Sequence, residues 1–272
     1  MTQAITQQPI GVFDSGIGGL TVVRALLEVL PNENIVYFGD TARVPYGSKS
    51  PQVVREYTKD DVKFLLSKNV KMIVVACNTV SSVALDVVQK LAPHMPVCGV
   101  IVPGAEEAVR ISQTHRIGVI GTVGTITSKA YTQAILREAP DAQVVAKACP
   151  LFVPLVEEGW ITHAATEMIA LEYLFPLLTK KIDTLVLGCT HYPLLKQTIT
   201  KVTKGMVRLI DSGEATAAVV KSMLIERSLL NTSRQHPNVQ FFVSDAPAKF
   251  TQIGERFLGR SLGVVKKVSI ES

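Results

Sequence analysis

The stretch Met72-Ile73-Val74-Val75-Ala76-Cys77-Asn78-Thr79 decides how the chain is read. Its apolar run is short, continuous and rich in β-branched residues, which is the pattern of a strand buried on both faces in a parallel sheet. The run ends in a thiol, an amide and a hydroxyl, and a helix-like period follows over Ser81 to Leu91. The same arrangement returns at Val186-Leu187-Gly188-Cys189-Thr190-His191. Two cysteines at the carboxyl ends of two similar strands point to one architecture. It is an α/β fold of two pseudo-symmetric lobes with parallel β-sheets flanked by helices, the site lying in the cleft between them, because ligands of open α/β sheets bind at that end of the strands.

Outward from these two stretches the alternation continues. Ile10 to Phe13, Ile35 to Phe38, Val97 to Val102, Ile117 to Ile120, Val144 to Ala148 and Val207 to Ile210 read as further buried strands. Leu20 to Leu30, Gln52 to Leu66, Ala105 to Ser112, Ala164 to Leu178 and Ala215 to Leu230 read as the helices between them. Late runs at Phe241 to Val243 and Val264 to Val268 suggest strands at a sheet edge. A second echo pairs Asp14-Ser15-Gly16 with Asp211-Ser212-Gly213, but the order of Asp and Cys is reversed between the two halves, which excludes a tandem repeat.

At 272 residues, with 47% apolar and 19% charged residues and a mean hydropathy of +0.28, the chain can bury a sizeable core and is not disordered. No apolar run approaches the roughly 20 residues of a membrane span. Met1 to Pro9 lacks the features of a secretory signal, so a cytoplasmic address is expected. The net charge of +5 is scattered, not gathered in a stripe, so nucleic acid is not an expected partner. Cys77, Cys98, Cys149 and Cys189 form no C-x-x-C pair and are expected to be reduced thiols. Cys98 and Cys149 read as structural.

Several chemistries fail on spacing. Gly16-x-Gly18-Gly19 follows a strand, but the dinucleotide fingerprint needs a small residue where Thr21 stands. No phosphate-cradling G-x-x-x-x-G-K-[ST] and no G-x-S-x-G nucleophile elbow occurs. Cys77, Cys189, His191 and Asp14 lack zinc spacing, so no metal is expected. A helix N-terminus lowers a thiol pKa from about 8.5, which would suit Cys77 and Cys189 as bases, and His191 stands two residues from the second thiol. His94, His115, His163 and His236 are expected to face solvent. Tyr131, Trp160 and the 226–238 segment fit either an interface or a covered core, the latter being the simpler reading.

Five segments together resemble the glutamate racemases. They are Gly11-Val12-Phe13-Asp14-Ser15-Gly16-Ile17-Gly18-Gly19, Tyr37 to Gly47 (YFGDTARVPYG), Ala76-Cys77-Asn78-Thr79, Pro150 to Gly159 (PLFVPLVEEG) and Gly188 to Leu195 (GCTHYPLL). The resemblance implies a discontinuous first lobe, residues 1–98 plus 213–272, around a second lobe of residues 99–212. It implies cofactor-independent interconversion of L- and D-glutamate, supplying D-glutamate for peptidoglycan, with Cys77 and Cys189 as the two bases and neither pyridoxal phosphate nor metal. Asp14 would assist Cys77 and His191 would assist Cys189, with Glu157, or the adjacent Glu158, as a third acid. Asp14, Ser15, Tyr46, Gly47, Asn78, Thr79, Thr190 and His191 would hold the substrate. A homodimer would be in keeping with the family. An aspartate racemase, or a two-lobed amino-acid-binding protein without catalysis, are the competing readings.

Overall fold

The computed structural model describes residues 5–233 and 236–270. In chain order its first half contains β1 (Ile10–Asp14), α1 (Leu20–Val29), β2 (Ile35–Gly39), α2 (Pro51–Leu66), β3 (Met72–Val75), α3 (Asn78–Val83), α4 (Leu85–Leu91), β4 (Val97–Gly99) and α5 (Ile101–Ile111). There follow β5 (Arg116–Gly121), α6 (Val123–Thr127), α7 (Ala130–Glu138), β6 (Gln143–Ala148), α8 (Phe152–Glu157), α9 (Ala164–Leu178), β7 (Thr184–Gly188), α10 (Lys196–Val202) and β8 (Arg208–Asp211). The chain closes with α11 (Ser212–Glu226), β9 (Val239–Val243), α12 (Pro247–Leu258) and β10 (Val265–Lys267).

Two all-parallel sheets result, one ordered β10-β9-β2-β1-β3-β4 and the other β6-β5-β7-β8. The wiring β2-β1-β3-β4 is that of β6-β5-β7-β8, so β3, which delivers Cys77, is the counterpart of β7, which delivers Cys189. The cysteine echo is thus a true equivalence. The Asp-Ser-Gly echo is not, because Asp14 ends β1 whereas Asp211 ends β8, the counterpart of β4. Asp211 caps α11 by accepting from the N–H groups of Gly213 (2.9 Å) and Glu214 (3.3 Å) and pairs with Lys196 at 2.8 Å.

Every residue of β1, β2, β3 and β7 is buried, as expected of inner strands with both faces covered. β6 and β8 depart from the expected buried runs. β6 lies at one sheet edge and is only half-buried, and Arg208 of β8 is exposed at the other edge of the same sheet. The expected strand Val97 to Val102 stops at Gly99, and helix begins at Ile101, with Pro103 in its first turn, where no amide hydrogen is needed. The helix expected over Ser81 to Leu91 starts earlier, at Asn78, and breaks at Ala84. Arg55 holds the break by donating to the Val83 carbonyl (2.8 Å) and, in a two-pronged pair, to Asp86 (2.6 and 2.8 Å).

Helices α1 and α11 pack against each other, and α11 also packs on α5, so α11 ties the two sheets' coverings together. Lys71 anchors the opposite end of the first sheet. Its buried ammonium donates to Glu33 (2.5 Å) and to the carbonyls of Thr6 (2.5 Å) and Leu229 (2.9 Å). No helix among the described residues is long and apolar enough to cross a membrane.

Candidate active site

Six strand ends converge on one cavity of about 220 Å³. It is lined by Asp14 to Ile17 after β1, Val44 to Ser48 after β2, Cys77 to Thr79 after β3, Thr122 and Val123 after β5, Pro150, Val153, Pro154 and Glu157 after β6, and Cys189 to His191 after β7. Every residue expected at the site from the sequence lies on this list: Asp14, Ser15, Tyr46, Gly47, Cys77, Asn78, Thr79, Glu157, Cys189, Thr190 and His191. The volume falls below the roughly 300–1,000 Å³ of drug- and cofactor-sized pockets and suits a compact ligand.

The walls meet so closely that two glycines are obligatory by contact. A Cβ on Gly18 would collide with Thr190 Oγ1 and lie 2.5 Å from His191 Nδ1, and one on Gly47 would lie 2.7 Å from Thr122 Cβ. The residue that spoils the dinucleotide fingerprint, Thr21, has its own use. Its hydroxyl reaches across the cleft to the Thr190 carbonyl (2.9 Å), with the Gly18 carbonyl also within range at 3.0 Å.

The two thiols have different company. Cys189 Sγ lies 4.0 Å from His191 Nδ1, and His191 Nε2 lies 3.0 Å from Glu157 Oε1. Donation from Nε2 to the carboxylate leaves Nδ1 as the acceptor facing the thiol, which is the tautomer a proton relay needs. Phe257 packs edge-on against the imidazole, with ring centroids 5.1 Å apart. The geometry also separates the two adjacent acids: Glu157 meets His191, whereas Glu158 is exposed and lies outside the cavity. The imidazole holds the Glu157 carboxyl below the usual carboxylate range.

Cys77 has no imidazole. Its Sγ lies 3.7 Å from Ser15 Oγ, and Asp14 is its charged neighbour. Asp14 is buried, one oxygen accepts from the Gly16 N–H (3.1 Å), and the other has no hydrogen-bond partner among the described residues. Burial raises the Asp14 pKa, an effect opposed by the positive field of His191.

Neither thiol is acidified in the closed cleft, contrary to the effect expected from a helix N-terminus. Burial, reinforced by the charge of Asp14, pushes Cys77 up to about 12. Burial also raises Cys189, the Asp14, Cys77 and Glu157 charges adding to it and only a backbone hydrogen bond opposing it. Desolvation therefore outweighs the local dipole, and ionising either sulfur requires a positive charge in the cavity or a neighbouring acceptor for the proton.

Tyr46 lines the cavity, but its hydroxyl points elsewhere. It donates to Asp40, with Asp61 at 3.2 Å, in a cluster in which Arg43 pairs with Asp40 (2.5 Å), Asp60 (2.9 Å) and Asp61 (3.2 Å). Burial, with the Asp40 charge adding to it, raises the Asp61 pKa, an effect opposed by Arg43 and by the Tyr46 hydroxyl. The cluster braces the lip at 44–48 from behind.

Two contributors escaped the sequence reading. Thr122 caps α6 and, with Thr125, meets Thr79 across the cleft in a triangle of hydroxyls at 3.0, 3.0 and 3.4 Å. Its signal was positional: Thr122 follows β5, the counterpart of the strand that ends in Asp14. Tyr131 is buried and donates to Asn78 Oδ1 at 2.7 Å. His94, His115, His163 and His236 are exposed, as expected. Cys98 and Cys149 are buried outside the cavity, and all four cysteines are free thiols. Arg234 and Gln235, within the 226–238 segment, lie outside the described residues. Among the described residues no cluster of three or more His, Cys, Asp or Glu side chains is arranged to hold a metal ion.

A cleft between two parallel-sheet lobes, with a thiol on each wall and titratable side chains beside both, defines an enzyme of proton transfer. Residues 10–220 match the Asp/Glu/hydantoin racemase family, and the chain belongs to it. It is 53% identical over 262 residues to a glutamate racemase of Syntrophus aciditrophicus, covering 96% of this chain and 97% of that one. Glutamate racemase from Francisella tularensis, solved in complex with D-glutamate, superposes with a TM-score of 0.92 at 42% identity, covering 98% and 99% of the two chains. A glutamate racemase isoform from Bacillus anthracis gives 0.93 at 39% identity, covering 97% and 98%.

Proposed function

We propose that this racemase interconverts L- and D-glutamate by a two-base transfer in which Cys77 and Cys189 stand on opposite faces of the α-carbon. The observation that carries the reading is the placement of the two thiols at equivalent strand ends, β3 and β7, on one cavity. Inversion needs removal of a proton from one face and delivery from the other. In each turnover one sulfur enters as thiolate and takes the α-hydrogen, while the other enters as thiol and gives its proton to the planar carbanion. The reverse direction exchanges the roles.

The neighbours supply the ionisation that burial opposes. For Cys189 the proton passes to His191, whose imidazolium is stabilised by Glu157. For Cys77 the acceptor is Asp14, made more basic by its burial. The incoming α-ammonium adds the positive charge that lowers the cost of a thiolate, and the unpartnered oxygen of Asp14 is placed to receive it. Asn78, Thr79, Thr122 and Thr190 offer donors to the two carboxylates.

We take the lobes as residues 1–98 plus 213–272 and 99–212, a division supported by the return of β9 and β10 to the first sheet. A cytoplasmic location suits four free thiols, two of which must stay reduced to work. The product D-glutamate would serve peptidoglycan synthesis. Circular dichroism of purified protein with L-glutamate, D-glutamate and L-aspartate tests the reading. Decay of the glutamate signals to zero from both sides, with aspartate turned over far more slowly, is expected. A stable glutamate signal, or faster loss of the aspartate signal, overturns it.

A further inference from the structure

Asn78 sits between the two halves of the site. It is the first residue of α3, immediately after Cys77, and it lines the cavity. Its amide nitrogen is buried and has no hydrogen-bond partner among the described residues. A buried amide donor without a partner costs on the order of 1–3 kcal/mol, and this one belongs to a residue on the cavity wall, where a ligand offers it an acceptor.

What fixes that nitrogen toward the cavity is the other end of the amide. Asn78 Oδ1 accepts from the Tyr131 hydroxyl at 2.7 Å, whereas the alternative acceptor for that hydroxyl, the Val100 carbonyl, is at 3.4 Å. A phenol has one proton to donate, and the shorter contact takes it. Tyr131 comes from α7 of the second lobe, and its ring packs on Gly188, where a Cβ would lie 3.0 Å from the ring. Gly188 directly precedes Cys189. One buried side chain therefore touches the residue before one thiol and the residue after the other.

We infer that Tyr131 is a positioning residue for the reaction: its hydroxyl locks the Asn78 amide so that the nitrogen donates to a substrate carboxylate. Tyr131 itself touches no reacting atom. The inference rests on the glutamate reading of the cavity. It predicts a binding defect with a specific partner dependence, which a general packing role would not produce.

The test is a double-mutant cycle with Tyr131→Phe and Asn78→Ala, read in KM and kcat for both enantiomers. Tyr131→Phe keeps the ring on Gly188 and removes only the donor. It should raise KM about fivefold to tenfold, the scale of one lost hydrogen bond, with kcat changed less than about threefold. Asn78→Ala should raise KM at least as much, and the double variant should be no worse than Asn78→Ala alone. Asn78→Asp, which turns an oxygen toward the carboxylate in place of a donor, should be worse than Asn78→Ala. Multiplying losses in the double variant, or an unchanged KM in Tyr131→Phe, overturns the inference while leaving glutamate turnover by the wild type intact. If the wild type binds glutamate without racemising it, the glutamate reading fails and the same cycle is read in the melting-temperature shift that glutamate produces. A wild type whose melting glutamate does not shift overturns both.

Discussion

The two thiol sites are built on equivalent strands of equivalent sheets, yet their neighbours differ in chemistry. Beside Cys189 stands His191, hydrogen-bonded through Nε2 to Glu157 at 3.0 Å. Behind Cys77 stand a buried carboxylate, Asp14, and the Ser15 hydroxyl. Fold symmetry places the two sulfurs, and the loops after the strands, which are not symmetric, give each its own polar neighbours. By strand register the counterpart of Asp14 is Gly121 at the end of β5, and Thr122, which meets the cavity with a hydroxyl, stands where the first lobe has Ser15. A substrate with two unlike ends and one inverting carbon needs equivalent bases within unlike surroundings.

The sharpest way to break this comparison is to remove either sulfur. Cys77→Ser and Cys189→Ser should each lower racemisation by at least about a thousandfold, within the range for loss of a positioned acid–base group. Full, symmetric activity in either variant, followed by circular dichroism, would remove the two-base scheme. Next in size are the helpers. Asp14→Asn should cost about a hundredfold, since it removes both the proton acceptor for Cys77 and the partner for the substrate ammonium, and His191→Asn should cost a similar factor on the other wall. Because the enantiomers have equal free energy, kcat/KM for L- and D-glutamate must fall by the same factor in every variant; only the individual kcat and KM values can differ.

Smaller effects separate neighbours within one wall. Glu157→Gln should lower kcat/KM about tenfold, the worth of one charge-assisted hydrogen bond, while Glu158→Gln should leave it unchanged. Equal effects in the two would deny the relay. Ser15→Ala, which removes only the weak contact at 3.7 Å to Cys77, should cost no more than about threefold. The pH profile of kcat/KM carries the sign of the thiol environment. Burial and the Asp14 charge raise the free-cleft pKa of Cys77 to about 12, so the thiolate fraction grows as pH rises and kcat/KM should increase from pH 7 to 9. A fall over that interval would contradict the account.

Much of this was legible in the sequence, and the reason is local. Met72 to Cys77 and Val186 to Cys189 are buried strands whose pattern needs no knowledge of their partners, and the residue that follows each is placed by the strand itself. The inventory of the cavity came from the resemblance to the glutamate racemases, and its members meet on one cavity because parallel strands present their carboxyl ends on one side. Features that depend on distant pairing were not legible. Tyr131 and Asn78 are 53 positions apart, and neither segment reveals that the hydroxyl of one orients the amide of the other. The hydrogen bonding of the Tyr46 hydroxyl was not legible for the same reason, since Arg43, Asp40 and Asp61 gather around it only in the fold. Helices α8 and α12 were missed where Pro154 and Gly254 interrupt the periodicity that a helix shows. The ionisation of the thiols was misread because a helix terminus is visible in a sequence and desolvation is not.

The most direct measurement follows solvent deuterium at the α-carbon, by proton NMR in D₂O, starting separately from L- and D-glutamate with the wild type, Cys77→Ser and Cys189→Ser. The wild type should incorporate deuterium from both enantiomers. Each variant should exchange with one enantiomer only, the two variants selecting opposite ones, because a single sulfur still faces one side of the carbon. Exchange with the same enantiomer in both variants, or with both enantiomers in either, would show that the two cysteines do not divide the faces of the substrate.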